Sequence, residues 1–162
     1  MIGADLREAA MRVLELCRAR GLHVATAESC TGGLVAAALT EIPGSSDVVD
    51  CGFVTYSDEA KRAMLGVPAA TLKRYGAVSA QTANAMAAGA LKNSRADIAV
   101  SITGIAGPGG GSKQKPAGLV HFAAARRDDA VRHERVLFGD RGRAEIRRES
   151  VQRALSLLAS VL

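Results

Sequence analysis

The stretch TAESCTGG, Thr26 to Gly33, sets a serine beside a cysteine and two adjacent glycines. Ser29 falls at a strand-to-helix turn, and Thr31, Gly32 and Gly33 open the helix that follows. The first N–H groups of a helix lack partners within it, and at Gly32 and Gly33 no side chain screens them, so they can receive an oxyanion or a phosphate. A hydroxyl beside such donors has the parts of an acyl-transfer site. The same residues also suit a plain helix cap, with Ser29 or Thr31 as the capping side chain. Cys30 is the alternative nucleophile. Adjacent side chains on a turn point apart, and a small buried cysteine is ordinary packing, so Ser29 is preferred.

A serine needs a base. In YSDEAK, Tyr56 to Lys61, Ser57 or Asp58 caps a short helix and puts Lys61 in or just after its first turn. The positive end of the helix dipole disfavours an ammonium there, and burial would add to that effect. A neutral lysine can take the proton of a serine hydroxyl, as in Ser–Lys hydrolases. An exposed lysine on a helix surface is the plainer alternative. His23 lies in a strand and His121 and His133 in a late hairpin, none near these segments in sequence, so lysine is the more economical base. In the third segment, Thr103 to Gly111 (TGIAGPGGG), the backbone can approach a ligand closely, as phosphate-cradling loops do. No Gly-Lys-Ser/Thr follows at the spacing of a nucleoside-triphosphate loop, and a mobile connection reads equally well.

The elements that must position these residues follow from periodicity. Asp5–Arg20 reads as an amphipathic helix stopped by Gly21, and Leu22–Ala27 as a short strand. Thr31–Glu41 is a helix, Val48–Tyr56 a strand, and Asp58–Leu65 and Ala69–Tyr75 are short helices. A longer helix follows Ser79, then the apolar strand Ala96–Gly104, a hairpin about Asp128-Asp129, and a final helix from Arg143 to Leu162. Strands alternating with helices and ending in a hairpin predict an α/β fold with a mixed sheet in one domain, residues 1–162. If the first strands are parallel neighbours, the three small-residue segments converge at their carboxyl ends, where open α/β sheets bind ligands.

Several strings in order, TAESCTGG, GSSDVVDCGFVTYSDEAK, GAVS, SITGIAGPGGGS and KPAGLV, with FGDR further on, resemble the CinA C-terminal domain family, whose members include nicotinamide-nucleotide amidases. The resemblance spans nearly the whole chain. It implies a single three-layer α/β/α domain with a mixed, mostly parallel sheet of about five strands. It also implies hydrolysis of the carboxamide of nicotinamide mononucleotide in pyridine nucleotide (NAD) salvage. Carried onto this sequence, Ser29 would be the nucleophile, Lys61 its base, and Tyr56 a residue that positions or relays the proton. Gly32 and Gly33 would supply oxyanion donors. Thr103, with Gly104 and Gly107 of the glycine loop, would line the pocket, Arg141 would meet the anionic part of the nucleotide, and Ser46 would be a further pocket residue. No metal and no cofactor are implied. A module that binds nucleotide without turnover is the alternative.

Composition narrows the rest. At 162 residues and 48% apolar the chain can bury a core without staples, and with 3% aromatics that core must be aliphatic. The net charge of +5 gathers late, where Arg126–Arg153 carries nine arginines among six acids. With no Trp and two Tyr a stacking platform for single strands is hard to build, so nucleic acid is not the expected partner. Cys17, Cys30 and Cys51 form no metal-spaced cluster. Their odd number and the missing signal peptide point to the cytoplasm. No run approaches the ~20 apolar residues of a membrane span. The expected partner is a small-molecule nucleotide, and the apolar, Ala-rich helices together with what the family resemblance implies favour a homo-oligomer, a dimer first.

Overall fold

The structure, a computed structural model, describes residues 2–162. In chain order the elements are α1 (Ala4–Arg20), β1 (Val24–Glu28), α2 (Leu34–Thr40), a 3-10 turn (Ser45–Asp47), β2 (Val49–Val54), α3 (Asp58–Leu65), α4 (Ala69–Tyr75), α5 (Ala80–Lys92), β3 (Ile98–Gly104), β4 (Leu119–Arg126), β5 (Arg132–Leu137) and α6 (Arg143–Ser160). The sheet runs β2-β1-β3-β4-β5. β1 is parallel to both β2 and β3, while β3/β4 and β4/β5 are antiparallel. This is the α/β/α architecture with a mixed sheet that the sequence predicts.

Alternation along the strands divides the interior into two layers. Val24, Ile98, Val100, Ile102, Val120 and Phe122 face α1, α2 and α6, with Leu14, Leu39, Ile146 and Leu155 among the buried partners. The opposite face is nearly all alanine: Ala25, Ala27, Ala99, Ala123 and Ala125 meet Ala83, Met86, Ala87 and Ala90 of α5. Small side chains on both surfaces let α5 lie close to the sheet. Gly89 continues that economy, because a Cβ there would overlap the carbonyl of Leu65 at the end of α3. The close seat of α3 on α5 is what carries Lys61 inward.

Most predicted elements are present, with shifted ends. The main difference is at α2, which starts at Leu34 rather than Thr31. Gly32 and Gly33 take φ of 60° and 97°, so Thr31–Gly33 is a left-handed turn and not a first helical turn. Among the described residues no helix is long and apolar enough to cross a membrane.

Candidate active site

The parallel order β2-β1-β3 brings the three small-residue segments to one edge. Ser29 directly follows β1, and its N–H donates to the Ile102 carbonyl at the end of β3 (3.0 Å). From the other side, the Thr55 N–H donates to the Glu28 carbonyl (2.8 Å), which ties the segment after β2 to the end of β1. Ser57 caps α3 by accepting from the Ala60 N–H at 3.0 Å, and Lys61 lies one turn in.

Lys61 is 1% exposed and its Nζ lies 3.1 Å from Ser29 Oγ. Nζ also donates to the carbonyls of Thr55 (2.9 Å) and Tyr56 (3.4 Å). A neutral amine has two N–H bonds and one lone pair. With two carbonyls taking the hydrogens, the lone pair is left for the serine hydroxyl. Burial pushes the Lys61 ammonium below its ordinary value, against smaller opposing effects of Asp58 and Cys30. The geometry and the electrostatics both suit a lysine that accepts a proton from serine. Cys30 is 5% exposed, packs in the α1/α2/α6 layer, and burial pushes its thiol up to about 12. A thiol so reluctant to ionise makes a poor nucleophile.

Several expected residues are placed differently. The N–H groups of Gly32 and Gly33 are not free: Gly32 donates to the Ser29 carbonyl (3.0 Å) and Gly33 to Glu28 Oε2 (3.1 Å). The Glu28 carboxylate, fully buried, also accepts from Val35 (3.0 Å) and Ala36 (2.9 Å). A built-in anion therefore already occupies the start of α2. The Tyr56 hydroxyl accepts from Arg143 NH2 at 3.0 Å, and it is the Tyr56 backbone carbonyl that accepts from Lys61. Thr103 is buried at the strand end, with its hydroxyl committed to the Ala77 carbonyl (2.8 Å). Gly104 is a packing glycine, since a Cβ would meet Val120 and the Leu119 carbonyl. Gly107, at φ 70°, presents its carbonyl to Arg143 NH1 (3.0 Å). Ser46 is exposed on the turn that precedes β2. The Val48 carbonyl beside it pairs with Val24 at the start of β1, so Ser46 stands at the opposite edge of the sheet from Ser29. Arg141 is bound to Glu149 at 2.7 Å.

Glu28, Arg143 and Arg147 carry structure at the site that the sequence reading missed. Glu28 had a signal: an acid closing a short strand of small, uncharged residues, VATAE. The two arginines are four residues apart at the start of α6, hidden among other arginines of the same helix. Arg143 bridges Tyr56 and Gly107, and no carboxylate lies within ion-pair distance of it among the described residues. Arg141, Arg148 and Arg153 all have acidic partners.

Comparison with known proteins agrees with this architecture. The crystal structure of the competence/damage inducible protein CihA from Agrobacterium tumefaciens superposes with a TM-score of 0.97 at 56% identity, covering 99% of this chain and 98% of that one. The nicotinamide-nucleotide amidohydrolase PncC of Escherichia coli K12 is 48% identical over 159 residues, 98% of this chain and 95% of the relative. A CinA-like protein of Akkermansia muciniphila is 51% identical over 154 residues, 95% of this chain but 36% of the relative. The chain thus spans about a third of the length of the longer curated relatives it matches. The family model of the CinA C-terminal domain matches residues 6–162. By sequence and by fold, this chain belongs to the CinA C-terminal domain family.

Proposed function

We propose that this chain is an amidohydrolase that converts nicotinamide mononucleotide to nicotinate mononucleotide and ammonia, with Ser29 as nucleophile and Lys61 as its base, in pyridine nucleotide salvage. The observation that carries this reading is the buried Ser29–Lys61 contact of 3.1 Å at the edge where three loops meet. Its substrate is suggested by the likeness to the E. coli amidohydrolase over nearly the full length of both chains.

In the proposed sequence, neutral Lys61 takes the Ser29 proton as Oγ bonds to the carboxamide carbon. Backbone N–H groups of the nucleophile turn meet the oxyanion. The C–N bond then breaks, and Lys61 returns its proton to the departing nitrogen as ammonia. Water adds to the acyl-serine with Lys61 again taking a proton, and the nicotinate carboxylate leaves as Ser29 is restored. Arg143, rather than Arg141, is the guanidinium we assign to the phosphate, because it has no acidic partner among the described residues and reaches the glycine loop. The exposed Tyr56 ring and Gly107 flank it at the mouth. The reaction is placed in the cytoplasm and the assembly as a homo-oligomer, a dimer first; light scattering on the eluted protein checks the latter.

The test is ammonia release from nicotinamide mononucleotide by purified protein, with a chelator present. Release matched mole for mole by nicotinate mononucleotide supports the assignment. Tight binding of the nucleotide without release sinks it in favour of a non-catalytic binding module.

A further inference from the structure

Arg147 reaches from α6 to the nucleophile turn. Its Nε donates to the Cys30 carbonyl at 3.1 Å and its NH2 to the Thr31 carbonyl at 3.2 Å. Two successive carbonyls thus converge on one half-buried guanidinium, which has no carboxylate within ion-pair distance among the described residues. Gly32 supplies the left-handed turn, φ 60°, and a Cβ there would only touch Arg147 NH2, at 3.4 Å.

The consequence follows from peptide geometry. In a trans peptide the C=O and N–H point in opposite directions. Holding the Cys30 and Thr31 carbonyls toward Arg147 sends the Thr31 and Gly32 N–H groups to the other side. Gly32 is satisfied by the Ser29 carbonyl (3.0 Å). Thr31 N–H has no hydrogen-bond partner among the described residues, although Thr31 is fully buried. Orphaned buried N–H groups are rare, and this one is two residues from the nucleophile. The start of α2 cannot take the role, because Glu28 fills it.

We infer that Arg147 is a positioning residue: it pins the peptides after Ser29 so that the Ser29 hydroxyl and the N–H groups of its turn keep the geometry the tetrahedral oxygen requires, and so that neither carbonyl can flip into that place. This rests on the hydrolase reading above. Arg147 touches no substrate; it acts through the backbone of residues 30–32. Ground-state binding, assigned to Arg143 and the glycine loop, should be unaffected. The loss should fall on kcat.

The experiment compares wild type with Arg147→Lys and Arg147→Met by two readouts. One is steady-state hydrolysis of nicotinamide mononucleotide. The other is labelling of Ser29 by a fluorophosphonate, in which Oγ bonds to phosphorus, fluoride leaves with its electron pair, and Lys61 takes the hydroxyl proton. The expected result is kcat lower by roughly ten- to a hundredfold, below the full loss of an oxyanion donor, with KM within about twofold and labelling slowed in parallel. Lysine, which cannot hold both carbonyls in one fork, should rescue little. Folded variants with wild-type kcat and labelling rate overturn the inference. So does loss of the fold in both variants, which would make Arg147 a structural strut. If wild type labels at Ser29 yet releases no ammonia, the substrate assignment fails by itself, and the labelling rates still decide the role of Arg147.

Discussion

Lys61 Nζ stands 3.1 Å from Ser29 Oγ although 32 residues separate them in sequence. The approach is built from three local facts: a strand that ends at Glu28, a helix capped by Ser57, and a glycine at 89 that lets α3 settle on α5. Among the described residues the lysine gains no carboxylate hydrogen bond for its burial. It is held by two backbone carbonyls and one hydroxyl. An arrangement that desolvates an amine without a counter-ion is poor for stability and well suited to proton transfer.

Removing either partner should therefore abolish turnover while sparing the fold. Ser29→Ala and Lys61→Met are expected to lower kcat by at least about a thousandfold, at the upper range of general-base effects and of a lost nucleophile. Lys61→Met leaves two carbonyls without their donor but relieves the burial of an amine, so Tm should stay within a few degrees of wild type. Cys30→Ala should keep most of its activity. Ammonia release and thermal melts on the three variants decide it; a dead Cys30→Ala beside an active Ser29→Ala would move the nucleophile by one residue.

The rate should rise with pH. Lys61 serves as base only when neutral, and burial holds its ammonium below the ordinary 10.5. The ascending limb of kcat/KM is expected to have its midpoint below that value. Stability should follow in the same direction. Between the lowered value and 10.5 the unfolded chain binds the proton more tightly than the folded one, so unfolding free energy climbs with pH across that window. A pH–rate profile whose limb persists in Lys61→Met would assign the titration to another group.

Arg143 and Arg141 should separate cleanly. Arg143→Ala removes the guanidinium that joins Tyr56 to the glycine loop, and should raise KM for nicotinamide mononucleotide about tenfold or more with a smaller change in kcat. Arg141→Ala breaks an exposed pair with Glu149 and should leave both constants near wild type. The reverse pattern would restore Arg141 as the phosphate contact.

Glu28→Gln tests the turn from its other side. The carboxylate accepts three N–H groups, and an amide of the same shape must present its NH2 to at least one of them. Losing charge-assisted bonds in a fully buried place should lower stability by about 2–4 kcal/mol. Denaturant titration reads this directly, and a midpoint equal to wild type would show that the buried oxygens contribute nothing.

Periodicity and turn residues sufficed for the order of elements, because β3 and α6 differ so plainly in apolar spacing. They also sufficed to place Ser29 and Lys61 on segments that meet, since parallel neighbouring strands align their carboxyl ends. What stayed hidden was orientation. Nothing in TAESCTGG says that Glu28 folds back onto the Gly33, Val35 and Ala36 amides, so the glycine N–H groups read as free. Nothing in FGDRGRAEIRR says which arginine faces an acid and which faces a carbonyl. Choosing among Arg141, Arg143 and Arg147 requires the helix phase relative to the sheet. Ser46 came from the resemblance alone: it precedes β2 and so adjoins the amino end of that strand, away from Ser29.

The hairpin histidines supply a pH dependence that is independent of catalysis. His121 is 7% exposed, and its Nδ1 lies 2.9 Å from His133 Nε2. Two neutral imidazoles at that distance share one hydrogen bond, whereas two imidazoliums can only repel. Burial, then His133, Arg135 and Lys115, push His121 down from 6.5 to about 4, and burial also lowers His133 despite Glu134. An unfolded chain takes its histidine proton near 6.5 and the folded one only near 4. In between, the unfolded state binds more protons, so stability is complete above 6.5 and falls as the pH drops toward 4. The displacement corresponds to about 3 kcal/mol. β4 pairs His121 with Thr103 of β3, so the strain falls beside the carboxyl end of β3, next to the active edge. Urea midpoints at pH 7, 5.5 and 4.5 should decline in wild type more than in His121→Gln. Parallel declines in the two proteins would place the acid sensitivity in the carboxylates instead.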